Sequence, residues 1–561
     1  MASAHSEKAI IGPSGAHLNR LKRFALVNAL LASQFVTATA QSGGGEQPRS
    51  GFAPVVTVSG DSVDRLRLNQ LQGTAPAAGF LLRSTSHLML GASARSFTLV
   101  LPDVYYSYNS ALPSGENDGS LWAGKGSNFR AITGVEWSIG SLRVVLLPEL
   151  SAYANSAFQY TPQFVAPLPA TRNPYSSPWN VFPYSIDAPV RFGGKGATRL
   201  SPGQSSITIS FPKTEFGFST ENEWWGPGIR TAIVMSDNAE GYPRLFLGMP
   251  KPLDTSAGSF DVRWMWGGLT ESPWFDSDPT NNLRSISSIA GTWTPSFEPD
   301  LALGFARSVF APSTGWGQAF SRAFDAFAST GRPNARAVTD TAFKPGRDQI
   351  FSLFGRWVFP DHGFETYAEW ARDEMPRSFR DFLVAPNNGQ GYTYGLQWVR
   401  DLGGGKFRLQ AEHSFLEQSS TFRNRPQGSF YTSRSVIQGY TNRGKVIGAG
   451  MGQGSSGEWF AADYLKRAWQ IGGFGAWTRF NNDAAYQLPG IPPQDFCPHD
   501  ITLSPGLRLG APTPLGKLSV KYARNFRFNA FFQDRRSCFG YGPSVDIWNS
   551  TLSFGITAGS W

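Results

Sequence analysis

Residues 406–415 read Lys406-Phe407-Arg408-Leu409-Gln410-Ala411-Glu412-His413-Ser414-Phe415, and their alternation decides the fold. Phe407, Leu409, Ala411, His413 and Phe415 take the odd positions; Lys406, Arg408, Gln410, Glu412 and Ser414 take the even ones. A period of two sends successive side chains to opposite faces of a β-strand. The same period recurs on either side. In 391–400, Tyr392, Tyr394, Leu396 and Trp398 alternate with Gly391, Thr393, Gly395 and Gln397. In 363–371, Glu365 and Glu369 share one face, Phe364 and Trp370 the other. Residues 515–524 set Leu518, Val520 and Tyr522 against Lys517, Ser519 and Lys521. Near the end, Leu552, Phe554, Ile556 and Ala558 alternate with Thr551, Ser553, Gly555 and Thr557. Turn-rich pieces such as Asp401-Leu402-Gly403-Gly404-Gly405 separate them.

A soluble sandwich or propeller buries the apolar face of such strands. A transmembrane barrel turns it outward to lipid and keeps the polar face in a wet lumen. Three features favour the all-β transmembrane antiparallel barrel. The segments run to about ten residues, longer than the usual five or six of soluble β-proteins. Their polar faces carry Lys, Arg and Glu. Tyr392, Trp398, Trp370 and Trp548 fall near strand ends, where an interfacial aromatic belt needs them. Trp561 is terminal and aromatic, but it is out of phase with Leu552, Phe554 and Ile556, which points to a bulge near Gly559 or a degenerate end signal.

Composition agrees with a turn-rich β-protein. Of 561 residues, 16% are charged, 14% are aromatic and 61 are Gly, while mean hydropathy is −0.25. Glycine at that density disfavours helix by about 1 kcal/mol per site. Arg20, Lys22 and Arg23 precede a 13-residue, mostly apolar run from Phe24 to Val36, and Ala38-Thr39-Ala40 follows. These are the basic, apolar and small-residue parts of an export signal over 1–40, and the run is short of the roughly 20 residues a spanning helix needs. Cleavage there removes Lys8, Arg20, Lys22, Arg23 and Glu7, taking the formal charge from +9 to +6. A mild positive excess suits an acidic polysaccharide or lipopolysaccharide. No basic run is dense enough to follow a nucleic-acid backbone. Residues 41–50 read as a Gly/Ser-rich linker, and 62–72 as a short helix; together 41–85 form a small element ahead of a barrel over 86–561.

Cys497 and Cys538 are the only two cysteines. In an oxidising compartment they are expected to pair, which would add about 4 kcal/mol by the chain-entropy model. Neither lies in a C-x-x-C motif and the six His are scattered, so neither a metal nor another cofactor is expected.

The densest segment runs from Glu221 to Pro252. Trp224 and Trp225 are adjacent and cannot share a strand face, and Gly226-Pro227-Gly228 forces a turn after them. Two readings stand side by side. One is an interfacial strand with a packed turn. The other is a sugar platform, with Trp224 and Trp225 stacking on pyranose rings while Arg230, Asp237 and Asn238 satisfy hydroxyls and any carboxylate. Glu221 and Glu223 sit two apart, the spacing of paired glycosidase carboxylates on a strand, yet such pairs are common on polar strand faces. No G-x-S-x-G elbow or nucleotide-binding fingerprint occurs; His413 lies on an apolar strand face and His499 in a loop. Catalysis is not expected.

Trp224-Trp225-Gly226-Pro227, followed by an apolar strand and Ser236-Asp237-Asn238-Ala239 with Pro243, resembles the hallmark of the Wzi capsule-assembly family. A second matching stretch is Gly439-Tyr440-Thr441-Asn442-Arg443-Gly444-Lys445-Val446-Ile447-Gly448, continuing to Gly452, and a looser one is Arg65 to Gly79 followed by Arg83. The resemblance implies a barrel of roughly 18 strands with a short N-terminal periplasmic helical element, in the outer membrane of a diderm bacterium. It implies a non-enzymatic protein that binds exported capsular or exopolysaccharide and helps anchor or assemble it at the cell surface. Its partners would be that acidic polymer, outer-membrane lipid and polysaccharide export machinery. The competing function on the same fold is a porin or substrate-specific channel. Residues 161–189 and 313–344 have no family counterpart and read as long extracellular loops, the kind that carry function or move.

Overall fold

A computed structural model describes residues 51–89, 95–160, 172–180, 184–328, 346–373, 379–423, 427–487, 499–533 and 546–559. The proposed export signal, Cys497, Cys538 and Trp561 lie outside the described residues, as do parts of the two long loops.

Alternating strands close into one barrel. The first third holds β1 (Arg95–Asn109), β2 (Gly126–Ile139), β3 (Leu142–Leu146 with Glu149–Tyr153), β4 (Ala197–Ser201 with Ser206–Ser210), β5 (Glu215–Ser219) and β6 (Arg244–Gly248 with Leu253–Thr255). Then come β7 (Gly258–Thr270), β8 (Leu283–Pro295), β9 (Leu301–Ser313), β10 (Asp348–Phe359), β11 (Phe364–Asp373) and β12 (Gln390–Leu402). The rest are β13 (Gly405–Phe415), β14 (Ser456–Lys466), β15 (Trp469–Phe480), β16 (Asp500–Thr513), β17 (Gly516–Phe528) and β18 (Ile547–Ala558). The sheet has 22 hydrogen-bonded segments; joining the three interrupted strands and setting aside Gly51–Pro54 leaves 18. Each interruption contains proline (Pro148, Pro202, and Pro250 with Pro252), which has no N–H to give the ladder.

Closure is antiparallel, with Thr551 of β18 opposite Asn109 of β1 and Thr557 opposite Asp103. Below that seam Gly51–Pro54 pairs in parallel with Thr98–Leu101, taking up the part of β1 that β18 leaves unpaired. Connections at one end are short turns such as Gly140-Ser141 and Gly403-Gly404. At the other end they are long, including 110–125, 220–243 and 416–455. That asymmetry identifies the short-turn end as periplasmic and the long-loop end as extracellular.

The alternation sets the faces as expected. Leu409, Leu396 and Tyr394 face outward and are exposed, whereas Arg408, Gln410 and Glu412 face inward and are buried. Outward aromatic pairs occupy both rims: Trp370 beside Tyr392 at the extracellular end, Phe364 beside Trp398 at the periplasmic end. Such belts sit at the lipid–water boundary.

The lumen is filled unevenly. Helix α1 (Asp61–Leu71) opens with Asp61 and Asp64 in its first turn, where the helix dipole favours anions. The sequence placed this helix at the periplasmic side, and there the chain draws it inside the barrel. Asp64 pairs with Arg408 at 2.7 Å, Arg67 with Glu365 at 2.5 Å, and Asp61 with Lys517 at 2.5 Å. Two long extracellular connections, 220–243 and 416–455, fold inward above it. Phe80, from the segment after α1, and Trp225, Ile233, Val234, Tyr431, Tyr440 and Ile447 from the two connections form one apolar core with Met265, Ile286, Phe310, Ile350 and Phe354 of the wall. Strands β7–β10 therefore carry apolar residues on both faces, because their inner face meets this plug rather than water. Across the lumen, a cavity separates much of β14–β18 and β1 from it, bridged at points such as Lys517 with Asp61.

Candidate functional site

The two sequence motifs meet inside the lumen. Glu223–Trp225 pairs antiparallel with Leu82–Ser84, so that Trp224 lies opposite Arg83. The Gly226 N–H then donates to the Leu81 carbonyl at 2.9 Å, and Trp225 N–H to Met235 at 3.0 Å. Gly226 has φ +121°, and a Cβ there would come within 3.1 Å of the Glu369 carboxylate, so the turn requires glycine. The second motif locks onto the first. Ser236 N–H donates to the Ile447 carbonyl at 3.0 Å, Asn238 Nδ2 to Val446 at 2.8 Å, and Asn442 Nδ2 to Glu240 at 3.0 Å. Tyr431 and Tyr440 hydroxyls donate to the Ile233 and Val234 carbonyls at 2.7 and 2.9 Å.

Inward-facing wall charges hold this assembly. Glu412 accepts from the Ile229 N–H at 2.6 Å and the Tyr367 hydroxyl at 2.7 Å. Glu369 accepts from Ile233 N–H at 3.2 Å. Glu365 accepts from both Arg67 and Arg356, and Arg67 also donates to the Pro227 carbonyl at 2.7 Å. The charged strand faces that pointed to a wet lumen thus serve, on this side, as tethers for the plug.

The five residues singled out in the sequence divide sharply. Trp224 and Trp225 are both 0% exposed, with the Arg83 guanidinium 5.5 Å from the Trp224 ring centre. Neither ring is exposed, although Trp224 borders the chamber beside the plug. Asp237 and Asn238 are buried too. Ser59 donates to one Asp237 carboxylate oxygen, and burial pushes this carboxyl up to about 6. Asn238 accepts from Asn117 N–H at 3.3 Å and so ties the β1–β2 connection to the motif. Of the five, Arg230 is the one with a partly exposed side chain. It pairs with Glu116 at 2.5 Å and lies 5.4 Å from the Trp459 ring centre.

Arg230 borders a cavity of about 840 Å³ between the plug and the inner faces of β14–β18 and β1. Sequence reasoning missed Glu116, Trp459 and Arg508 as site residues, and Lys521 it read only as lumen-facing. Alternation could say that Lys521 points inward, but not which loop lies opposite. At the extracellular mouth, the partly exposed rings of Phe158, Tyr160 and Phe531 gather within 5.5–6.5 Å of one another, with Arg527 4.3 Å from the Phe531 ring. The proposed carboxylate pair is already engaged. Glu221 accepts from Ser86 N–H and hydroxyl at 2.8 and 2.9 Å, and Glu223 pairs with Arg244 and Arg263 at 3.0 and 2.8 Å. Among the described residues no His, Cys, Asp and Glu group is arranged to hold a metal ion.

Fold and site together define an outer-membrane β-barrel of 18 strands whose lumen is largely occupied by its own chain. The family model for capsule assembly protein Wzi matches residues 114–464, a span that takes in both inward loops and the wall from β2 to β14. The chain belongs to that family. Among solved structures it is similar to Wzi of Escherichia coli, at 11% identity and TM-score 0.51, covering 81% of this chain and 84% of that one. That protein is described as an outer-membrane protein involved in group 1 capsule assembly and a carbohydrate-binding β-barrel. Lower similarity extends to OccAB2 of Acinetobacter baumannii (10% identity, TM-score 0.38, covering 81% and 97%) and OccK2 of Pseudomonas aeruginosa (10%, 0.37, 82% and 97%). No curated protein sequence matches the chain.

Proposed function

We propose that this protein binds exported capsular or exopolysaccharide of acidic character and helps anchor or assemble it at the cell surface. The family match over residues 114–464 carries the reading. The extracellular mouth supports it: Phe158, Tyr160 and Phe531 offer ring faces to sugars, while Arg527 and Arg191 stand beside them. Of the residues first assigned to the site, Arg230 is the one that contacts polymer; Trp224, Trp225, Asp237 and Asn238 hold it in position. Delivery of the polymer falls to export machinery, a partner that this reading requires.

Two observations weigh against other functions. Glu221 and Glu223 are buried and spent on Ser86, Arg244 and Arg263, so neither is free to move a proton for a glycosidase. A general porin needs an open lumen, whereas here the apolar core joins plug to wall.

The test is retention of acidic polymer by cells deleted for the protein and complemented with wild type or Arg230→Ala. Deletion is expected to release uronic-acid-containing polymer into the medium, and Arg230→Ala to restore retention incompletely. Full retention by the deleted cells would overturn the proposal.

A further inference from the structure

The chamber beside the plug runs from Asp61 and Lys517 at the periplasmic end to Phe531 and Asn549 at the extracellular end. Its volume lies in the range of pockets that enclose small organic ligands. Its lining is rich in cations, and nearly all are already answered. Lys517 pairs with Asp61 at 2.5 Å, Arg408 with Asp64 at 2.7 Å, and Arg527 with Asp500 at 2.6 Å. Arg508 donates to Asp463 at 2.6 Å, Arg67 pairs with Glu365, and Arg130 with Asp103 at 3.5 Å. Lys445 donates to the Gly119 and Leu121 carbonyls, both at 3.0 Å, and Arg83 to the Phe80 carbonyl at 3.2 Å.

Lys521 is the exception. Its ammonium stands 4.8 Å from the Phe474 ring centre and has no hydrogen-bond or ion-pair partner among the described residues. It is exposed to the chamber although protein surrounds it. Worse for its energy, the residue directly across the ladder is Arg508, and like charges directly opposite repel. Arg230 is a further charged neighbour. Of the nearby acids, Glu116 is committed to Arg230 at 2.5 Å, and the buried Asp118 is a charge neighbour of Lys521 but makes no ion pair with it. Three cations thus line one chamber with the Lys521 ammonium in no ion pair, which is the arrangement an incoming anion relieves.

We propose that this chamber binds the carboxylate of an acidic sugar residue, held by Lys521 with Arg508 and Arg230, while Phe474 supplies an apolar wall for the ring. The site lies inside the barrel, below the aromatic mouth, so a chain end or side branch threads inward past the rim. The inference draws its ligand source from the proposed function, but the chemistry of the site can be tested apart from it.

The probes are trigalacturonate and its neutral, carboxyl-reduced counterpart, titrated by calorimetry into the full chain in detergent. Wild type is expected to bind the charged trisaccharide at least about tenfold more tightly than the neutral one, the ratio that 1.4 kcal/mol corresponds to. Lys521→Gln is expected to lose about tenfold or more of that affinity, and Lys521→Arg to keep it. Lys466→Gln, at the periplasmic end of β14, is expected to match wild type. Heat-modifiable migration in gels checks that each variant is folded, and the two-ligand comparison needs no variant. Equal affinity for the two trisaccharides, no binding of either, or unchanged affinity in folded Lys521→Gln overturns the inference. Any of these results alongside Arg230-dependent polymer retention by cells would leave the surface function standing.

Discussion

Replacing Glu365 by Gln is expected to loosen the plug without unmaking the barrel. Glu365 of β11 is fully buried and accepts from Arg67 of α1 at 2.5 Å and from Arg356 of β10 at 2.8 and 2.5 Å. Both guanidiniums are themselves buried. Glutamine fills the same volume but removes the negative charge between two positive ones. Breaking a buried pair by neutralising one member costs about 3–5 kcal/mol. At roughly 1.4 kcal/mol per factor of ten, the undocked plug becomes more populated by about a hundred- to several-thousand-fold. The readout is single-channel recording in planar bilayers, where undocking appears as open events, together with the rate of tryptic cleavage in residues 55–89. Both are expected to rise steeply in Glu365→Gln. A control sharpens the argument: Arg67→Met, Arg356→Met and Glu365→Met combined removes all the charges and is expected to open less often than Glu365→Gln alone. If Glu365→Gln stays as closed and as protease-resistant as wild type, the triad does not hold the plug. If the triple variant opens more often than the single one, charge isolation is the wrong cause.

Other substitutions separate packing from contact. Trp225→Ala empties a fully enclosed site and is expected to lower stability by about 3–5 kcal/mol in denaturant titration. Arg230→Ala breaks only a partly exposed ion pair and is expected to cost less than about 1 kcal/mol while still impairing polymer retention. Gly226→Ala places a side chain at φ +121° beside Glu369 and is expected to cost about 1–3 kcal/mol, visible as a lowered Tm. Asp237 gives a pH test. Its folded pKa of about 6 lies above the ordinary 3.8, so the folded state holds the proton more tightly than the unfolded state. Its contribution to stability is full below about pH 4 and is lost as pH rises through about 6, with a slope of up to about 1.4 kcal/mol per pH unit. Asp237→Asn is expected to flatten the stability profile across that window; an unchanged profile would remove Asp237 as its source.

Much of the wall was legible in the chain. Period-two alternation over 391–400, 406–415 and 515–524 set the strands and their lipid-facing residues, because side-chain direction in a strand depends only on position parity. The motif at Trp224 and its partner at Gly439 to Gly448 were enough to indicate the family. What those residues do was not legible. The same local pattern that marked Trp224 and Trp225 as girdle or platform is satisfied by burial in a plug, and the choice depends on Leu81, Met235 and Arg83 arriving from elsewhere in the chain. The inward charges show the same limit. Arg408 meets Asp64 from 344 residues away and Arg67 meets Glu365 from 298, distances over which no local spacing carries a signal. Alternation placed Lys521 on the lumenal face, as it did Lys517 and Arg408. Only the tertiary structure showed that Lys517 and Arg408 find acids on α1, whereas Lys521 stands across from Arg508, where the plug brings Arg230 and no ion-pairing acid. The sequence determined which side of the wall each charge occupies; the fold of the plug decided which charge was left for a ligand.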